Sequence, residues 1–554
     1  MKTWQLSRGN IFGGLTAGIV ALPLALAFGV QSGLGPAAGL YGAIILGFFA
    51  ALFGGTNTQI SGPTGPMTVV SAATIADFIA AGGNLQAAIG AIVACFVLAG
   101  ILQIIMGVLK IGTLIRFIPY PVISGFMSGI GVIIILLQLF PAMGQKSPLA
   151  TVDVVTTIGP ALQNMNLWAL FYAALTIAII YLFPKITKAV PSTLVALMTV
   201  TVLSVFIKAD VPVIGSIPEG LPKFLGTEII HIPAHVYSEI FAAAITLAAL
   251  GSIDSLLTSV IADNVTKTKH NSNRELVGQG IGNTISGLFG GIPGAGATMR
   301  TLVNIRSGGK TKVSGMLHSV TLAVILLGVG RYAALIPNSV LAGVLITVGI
   351  GILDYRGFRH IAKVPRSDAV IMIIVLLVTV FLDLLTAVGI GMVMAALLFM
   401  KKMSDIMQER SKVYELSSFI NEIGWEKDNF PPEWKSKVFI KHIEGPLFFG
   451  FASGFQRMAE QLPDVKYVLI RMENVPFIDQ TGLYALEEAI LSLEQRGIDV
   501  LLTGVQEQPQ IMLRRIRIIP DLIPEDNIYN DYKKCAGWVK KKLQEKEEVE
   551  EIAV

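Results

Sequence analysis

Apolar runs close to the length of a bilayer crossing recur along roughly the first 400 residues of this 554-residue chain, and no other feature restricts its fold as strongly. A hydrocarbon core about 30 Å thick is crossed by about 20 helical residues. Composition agrees: 53% of residues are hydrophobic and 14% charged, against about 25% charged in a soluble globule. Beyond Lys401 the runs give way to charged, amphipathic segments. The chain therefore divides into a membrane domain over 1–402, a linker over 403–435, a soluble domain over 436–545 and a charged tail over 546–554.

Fourteen segments are predicted near 10–30, 36–54, 65–81, 86–109, 118–142, 168–184, 192–207, 239–261, 276–290, 297–306, 314–330, 333–353, 368–383 and 385–400. The third and tenth read as too short or too polar to cross fully. The apolar stretch after Arg8 runs on without a cleavage site, so it is read as the first membrane helix. Lys and Arg collect in cytoplasmic loops. With the N-terminus inside, the cytoplasmic loops and ends hold eighteen basic residues and the outer loops four, Lys146, Lys208, Lys223 and Arg331. Both termini are expected in the cytoplasm of a bacterial inner membrane.

Two stretches echo one another. Gly54-Gly55-Thr56 leads through Ser61-Gly62-Pro63-Thr64-Gly65-Pro66 into Met67-Thr68-Val69-Val70, and Gly290-Gly291-Ile292-Pro293 leads through Gly294-Ala295-Gly296-Ala297-Thr298 into Met299-Arg300-Thr301. Each opens the third segment of its half, and seven segments per half force the halves into opposite orientations. Gly/Pro-broken segments at matching positions mark transporter sites. A helix starting in mid-membrane offers unpaired N–H groups and a positive dipole end, so two such starts facing each other make an anion site. The plainer reading is two packing kinks.

Polar residues inside the apolar segments narrow the site. Asp254 and Thr258 lie one turn apart on the eighth segment, where a buried acid needs a partner. Asp254 can bind a cation, carry a proton, pair with Arg300 or pin helix ends. Arg300, in the first turn of the tenth segment, can attract an anion, neutralise Asp254 or snorkel. Thr64 and Thr298 sit at the two broken starts, where each hydroxyl alone is expected to cap its helix. His270 reads as a solvated loop residue and Asp383 as an exposed turn acid.

The sequence shows no Ser-His-Asp set, metal-spaced His/Cys cluster or Walker loop, which argues against a hydrolase and an ATP-driven pump; no enzyme activity and no cofactor beyond a coupling ion are expected. Cys95 and Cys535 are the two cysteines, too few for a disulfide framework. The net charge of +4 comes from dispersed basic residues and gives no support to a nucleic-acid partner.

The tail reads as a small α/β domain, with strands over 438–443, 467–471 and 500–502 and helices near 453–461, 482–495 and 507–516. Asp479 and Thr481 fall at the start of the second of these helices, where Thr481 is expected to cap, with phosphorylation the alternative. The Lys540–Glu550 run reads as a solvated helix end.

The motifs Gly13-Gly14-Leu15-Thr16-Ala17-Gly18 with Ala21-Leu22-Pro23, the Ser61–Met67 turn, His270-Asn271-Ser272-Asn273-Arg274-Glu275-Leu276 and Gly290–Arg300 resemble the SulP (sulfate permease) anion transporters, relatives of the solute-carrier-26 and prestin proteins. Ile478-Asp479-Gln480-Thr481-Gly482 resembles the helix start of their STAS domain. The resemblance implies an α-helical polytopic membrane protein of two inverted seven-segment repeats, arranged as core and gate domains, with a cytoplasmic STAS domain. It also implies a homodimer in membrane lipid, with the possibility of a cytosolic partner for the STAS domain.

The resemblance places the anion at Thr64, Gly65, Ala297, Thr298, Met299 and Arg300. Within the family the chain is most similar to BicA-like sodium-dependent bicarbonate transporters, which implies sodium at Asp254, Thr258, Gly296, Ala297 and Thr298. Arg300 departs from that group, which tends to have glycine there, and matches the wider family. The first reading is therefore sodium-coupled bicarbonate uptake by an elevator-like movement. The alternatives are proton-coupled sulfate or dicarboxylate transport, a STAS sensor or scaffold without flux, and nucleobase permeation, the last disfavoured by Arg300.

Overall fold

The computed structural model describes residues 7–148, 150–187, 190–214, 222–232, 236–382, 384–410, 413–415, 437–448 and 465–552. It divides into two compact units, 1–395 and 396–554, which are taken separately.

The membrane unit, with the helix that leads out of it, is built of α1 (Arg8–Gln31), α2 (Pro36–Phe53), α3 (Gly65–Gly82), α4 (Leu85–Val108), α5 (Tyr120–Ala142), α6 (Thr151–Gln163), α7 (Leu167–Leu182), α8 (Ser192–Ile207), α9 (Tyr237–Thr266), α10 (Ser272–Leu288), α11 (Thr298–Arg306), α12 (Lys312–Ala333), α13 (Asn338–Ile352), α14 (Tyr355–His360), α15 (Arg366–Phe381) and α16 (Leu384–Arg410). A helix lies on each of the fourteen predicted segments; the eighth corresponds to α9 and the tenth to α11. The sequence reading missed α6 and α14. Thr, Asp and Pro interrupt the apolar pattern of α6, and α14 is only six residues long. Among the described residues eight helices are long and apolar enough to cross a bilayer, and α3 is one of them. The expectation that the third segment is too short or too polar is corrected: Asp77 makes it less apolar, but the helix runs unbroken for 18 residues. The tenth remains a half-helix of nine residues. Asp383 lies outside the described residues.

The helices pack as two bundles. One gathers α1, α2, α3, α4, α9, α10, α11 and α12; the other gathers α5, α6, α7, α8, α13 and α15. Small residues set the closest approaches, as expected where packing rather than hydrophobicity drives association in lipid. A Cβ on Gly280 of α10 would stand 2.5 Å from the Gly100 carbonyl oxygen of α4, and one on Gly100 would stand 2.3 Å from Thr284 Oγ1.

In the C-terminal unit, β3 (Val413–Glu415), β4 (Val438–Glu444), β5 (Tyr467–Asn474), β6 (Asp499–Thr503) and β7 (Ile528–Tyr529) form one sheet in that order. The β3–β4 pair is antiparallel and the others parallel. Side chains alternate between faces. Phe439, Val468, Ile470 and Leu502 meet α17 (Gln480–Gln495) and α18 (Glu507–Arg515) on one face. Ile440, Leu469 and Leu501 meet α19 (Tyr532–Ile552) on the other. The three predicted strands are present. The two short edge strands were not foreseen, and β3 lies inside the expected 403–435 linker. Three residues without a side-chain repeat carry no readable period. The helix expected near 453–461 lies outside the described residues. Lys540–Glu550 belongs to α19 and is the end of a helix, as read.

Lys441 is buried within β4 at 6% exposure, and burial lowers its pKa from 10.5 to about 8. Below pH 8 the ammonium is charged whether the domain is folded or not, and burying it costs stability. Between pH 8 and 10.5 the folded domain gives up the proton first, so stability rises across that window. Lys441→Met is expected to stabilise the C-terminal domain by about 2–3 kcal/mol at pH 7 and to abolish the rise, measured by denaturant unfolding at several pH values. A wild-type profile that stays flat, relative to the variant, between pH 8 and 10.5 would contradict this.

Candidate functional site

The two interrupted stretches meet. Ser61–Gly62 (β1) pairs antiparallel with Ala295–Gly296 (β2), Ser61 opposite Gly296 and Gly62 opposite Ala295; these strands precede β3 in the chain. Only glycine fits the crossing. A Cβ on Gly294 would lie 2.1 Å from the Gly62 carbonyl oxygen, and one on Gly296 would lie 2.2 Å from Gln59 Nε2. The backbone then turns directly into α3 at Gly65 and into α11 at Thr298.

Neither helix start carries a side-chain cap. Thr64 is the N-cap of α3 and Ala297 the N-cap of α11, and neither makes a capping hydrogen bond. The expectation that the threonine hydroxyls cap is corrected, because both are engaged across helices. Thr64 Oγ1 donates to Asp254 Oδ2 at 2.8 Å, and Thr298 Oγ1 bonds Thr258 Oγ1 at 2.7 Å. The first-turn N–H groups of Gly65 and Met67 on α3, where Pro66 has none, and of Thr298, Met299 and Arg300 on α11 have no intrahelical acceptor and can take a ligand. The start of α3 faces the second bundle: a Cβ on Gly65 would meet Ile134 Cδ1 of α5 at 2.5 Å.

Asp254 and Thr258 lie on one face of α9, both buried. Thr258 Oγ1 also donates to the Gly296 carbonyl at 2.9 Å, and Ser255 Oγ accepts the Gly296 N–H at 3.0 Å. A carboxylate, four hydroxyls and a carbonyl therefore gather where α9 passes the two helix starts. Such hard oxygen donors suit a small cation. Arg300 is 2% exposed. Its Nη2 donates to the Pro63 carbonyl, and its Nη1 has no hydrogen-bond partner. It holds the turn before α3 and does not ion-pair with Asp254. Ala297 is buried, whereas Met299 is 66% exposed.

The frame behind this site was not foreseen. Glu275, 1% exposed, accepts from Gly55 N and Thr56 N at 2.8 Å each, from Gln59 Nε2 at 2.9 Å and from Gln279 Nε2 at 2.8 Å. Gln279 reaches Ser61 Oγ at 2.6 Å, and Asn283 makes a two-way bond with the backbone of Gly294. The signal was available: Glu275, Gln279 and Asn283 repeat every four residues, a polar stripe on one face of a membrane helix. The reading set that segment's start at 276 and so lost the stripe's first member.

The turn between α9 and α10 departs from expectation in a second way. His270 is not solvated: its side chain is 10% exposed. Its Nδ1 lies 2.7 Å from Asp263 Oδ2 and its Nε2 lies 2.9 Å from Ser272 Oγ. A Ser-His-Asp chain is therefore present, although the sequence showed none. Asp263 also takes the His270 N–H at 2.9 Å, so the three side chains lock the turn. In the C-terminal unit Asp479, not Thr481, caps α17, accepting the Gly482 N–H at 2.7 Å. Thr481 stands exposed at the second helical position.

Residues 8–375 match the sulfate permease family and residues 432–535 the STAS domain. The chain is 41% identical over 524 residues to the bicarbonate transporter BicA of Picosynechococcus sp., covering 94% of this chain and 92% of that protein. Its fold is similar to the transmembrane domain of a cyanobacterial BicA, with a TM-score of 0.64 and 45% identity over 69% of this chain and 97% of that one. It is also similar to the murine anion transporter Slc26a9 in the inward-facing state, with a TM-score of 0.83 over 98% of this chain and 92% of that one. At 17% identity that last likeness speaks for the fold alone.

Removing Glu275 takes an acceptor from four donors at once, among them the Thr56 N–H and the Gln59 amide in the interior. Glu275→Ala is expected to destabilise the membrane domain by about 3–5 kcal/mol, seen as a lower melting temperature of the detergent-solubilised protein. Lys269→Ala, at an exposed position in the same turn, serves as the control. Equal melting temperatures for the two variants would refute the frame's role.

Proposed function

The chain belongs to the sulfate permease family, whose members are anion transporters and not enzymes, and on that premise we propose that it takes up bicarbonate together with sodium. The observation that carries this reading is the pair of uncapped helix starts joined through β1 and β2, beside an oxygen-lined acid on α9. The 41% identity to BicA supports bicarbonate as the anion.

The chemistry divides between two loci. The first-turn N–H groups of α3 and α11 hold the anion through hydrogen bonds and dipole ends. Sodium is a cargo ion held by Asp254, Thr258 and the start of α11 at Gly296, Ala297 and Thr298. Thr64 and Thr298 couple the loci. Their hydroxyls bond Asp254 and Thr258. A cation among these oxygens takes over their lone pairs and frees the hydroxyl hydrogens to turn toward the anion. Each ion thus strengthens the other's binding, and the effect is reciprocal. The two bundles supply the parts for an elevator-like movement, with the one carrying α3, α9 and α11 as the moving core. The inverted repeat, the homodimer, the inner-membrane location and the cytoplasmic termini belong to the same proposal. So does phosphorylation at exposed Thr481, or a cytosolic partner, as a control on the STAS domain.

A second reading, proton-coupled sulfate or dicarboxylate transport, is favoured by Arg300, whose guanidinium retains an unpartnered Nη1 close behind Gly62. Uptake of labelled bicarbonate and sulfate into proteoliposomes, under sodium and under pH gradients, separates the two. Bicarbonate uptake driven by sodium is expected in the wild type, and Asp254→Asn is expected to abolish the sodium dependence. A sodium response fully retained in the variant would remove Asp254 from coupling, and uptake driven by protons alone would favour the second reading.

A further inference from the structure

An apolar crevice of about 410 Å³ opens between the two helix bundles. Leu26 of α1, Leu40 of α2 and Leu326 of α12 form its inner wall, and α8 closes the opposite side with Leu197, Thr201 and Val202. The inner-wall leucines are 1%, 1% and 8% exposed, whereas Met198 and Phe206 at the rim are 56% and 79% exposed. The rim is thus continuous with the lipid-facing surface of the protein. Among the described residues no charged side chain lines the crevice, and the hydroxyl groups there are those of Thr201 and Tyr332.

The contents follow from the walls. Water does not fill an alkyl-lined space that offers it so few partners. An empty space would leave the wall atoms without dispersion contacts on one side. The volume falls within the range of about 300–1,000 Å³ typical of small-ligand sites, and the medium beyond the rim is hydrocarbon. We propose that the crevice seats one acyl chain of a membrane phospholipid, wedged between α1, α2 and α12 of one bundle and α8 of the other. Lipid tails are as apolar as leucine, so the chain gains little from hydrophobicity and is held by fit. It exchanges with the bilayer and fills the seam along which the two bundles meet.

The test uses the full-length protein in vesicles containing a phosphatidylcholine with a diazirine at mid-chain, with adducts mapped by mass spectrometry after illumination. Adducts are expected on Leu26, Leu40 or Leu326, which bulk lipid does not touch. Adducts confined to outward residues such as Met198, Phe206 and Phe241 would overturn the proposal. Thr201→Trp fills the space; wall labelling is then expected to be lost while Phe241 labelling persists. Wall labelling unchanged in this variant would also overturn it. Should the variant fail to fold, the wild-type map alone decides.

Discussion

Two helix N-termini left open by their own side chains, and tied together by a two-residue antiparallel sheet, are the constraint on which the rest of the structure depends. Backbone N–H groups within a membrane protein must be satisfied by protein, water or ligand. Here the residues that would ordinarily cap are a threonine turned to another helix and an alanine with nothing to offer. The glycines at the crossing follow from the same demand, since a Cβ at Gly294 would collide with the Gly62 backbone and one at Gly62 or Gly296 with the Arg300 or Gln59 side chain. Local sequence, steric fit and ligand chemistry therefore point to one place.

Holding that arrangement in lipid takes a rigid polar frame. Glu275 binds the segment before β1 through two backbone N–H groups and the Gln59 amide, and Asn283 binds the backbone of Gly294 just before β2. Both lie on α10, so one helix fixes the entry to both half-sites. Buried networks of this kind are favourable when their members are satisfied and costly when one is removed. Asp254 on α9 approaches the pair from another direction and is joined to it through Thr64. The proposed coupling of cation to anion rests on that single hydroxyl and its counterpart on Thr298.

Much of this was legible in the chain itself. Hydrophobic run length located the helices of the membrane unit, because crossing a bilayer imposes a nearly fixed length. The repeated Gly/Pro interruption pointed to the place where β1 meets β2, because a broken helix in lipid demands an unusual reason. What escaped had weaker local signals. Thr64 and Thr298 looked like caps because capping is a local rule, whereas their partners on α9 lie 190 and 40 residues away. His270 looked solvated because its sequence neighbours are polar, yet Asp263, seven residues earlier, folds back onto it. The edge strands β3 and β7 are too short to show a period and exist because the sheet offers them an unpaired edge.

The central claim is that the open N–H groups of α3 and α11 hold the anion, and a carboxylate placed on one of them tests it directly. Ala297→Asp puts a negative cap at the start of α11, satisfying its N–H groups and repelling an anion, while such a cap stabilises a helix. Labelled bicarbonate uptake by this variant in proteoliposomes is the deciding measurement. The account expects uptake to be lost with the melting temperature preserved. Uptake at the wild-type rate in a correctly folded variant would contradict it.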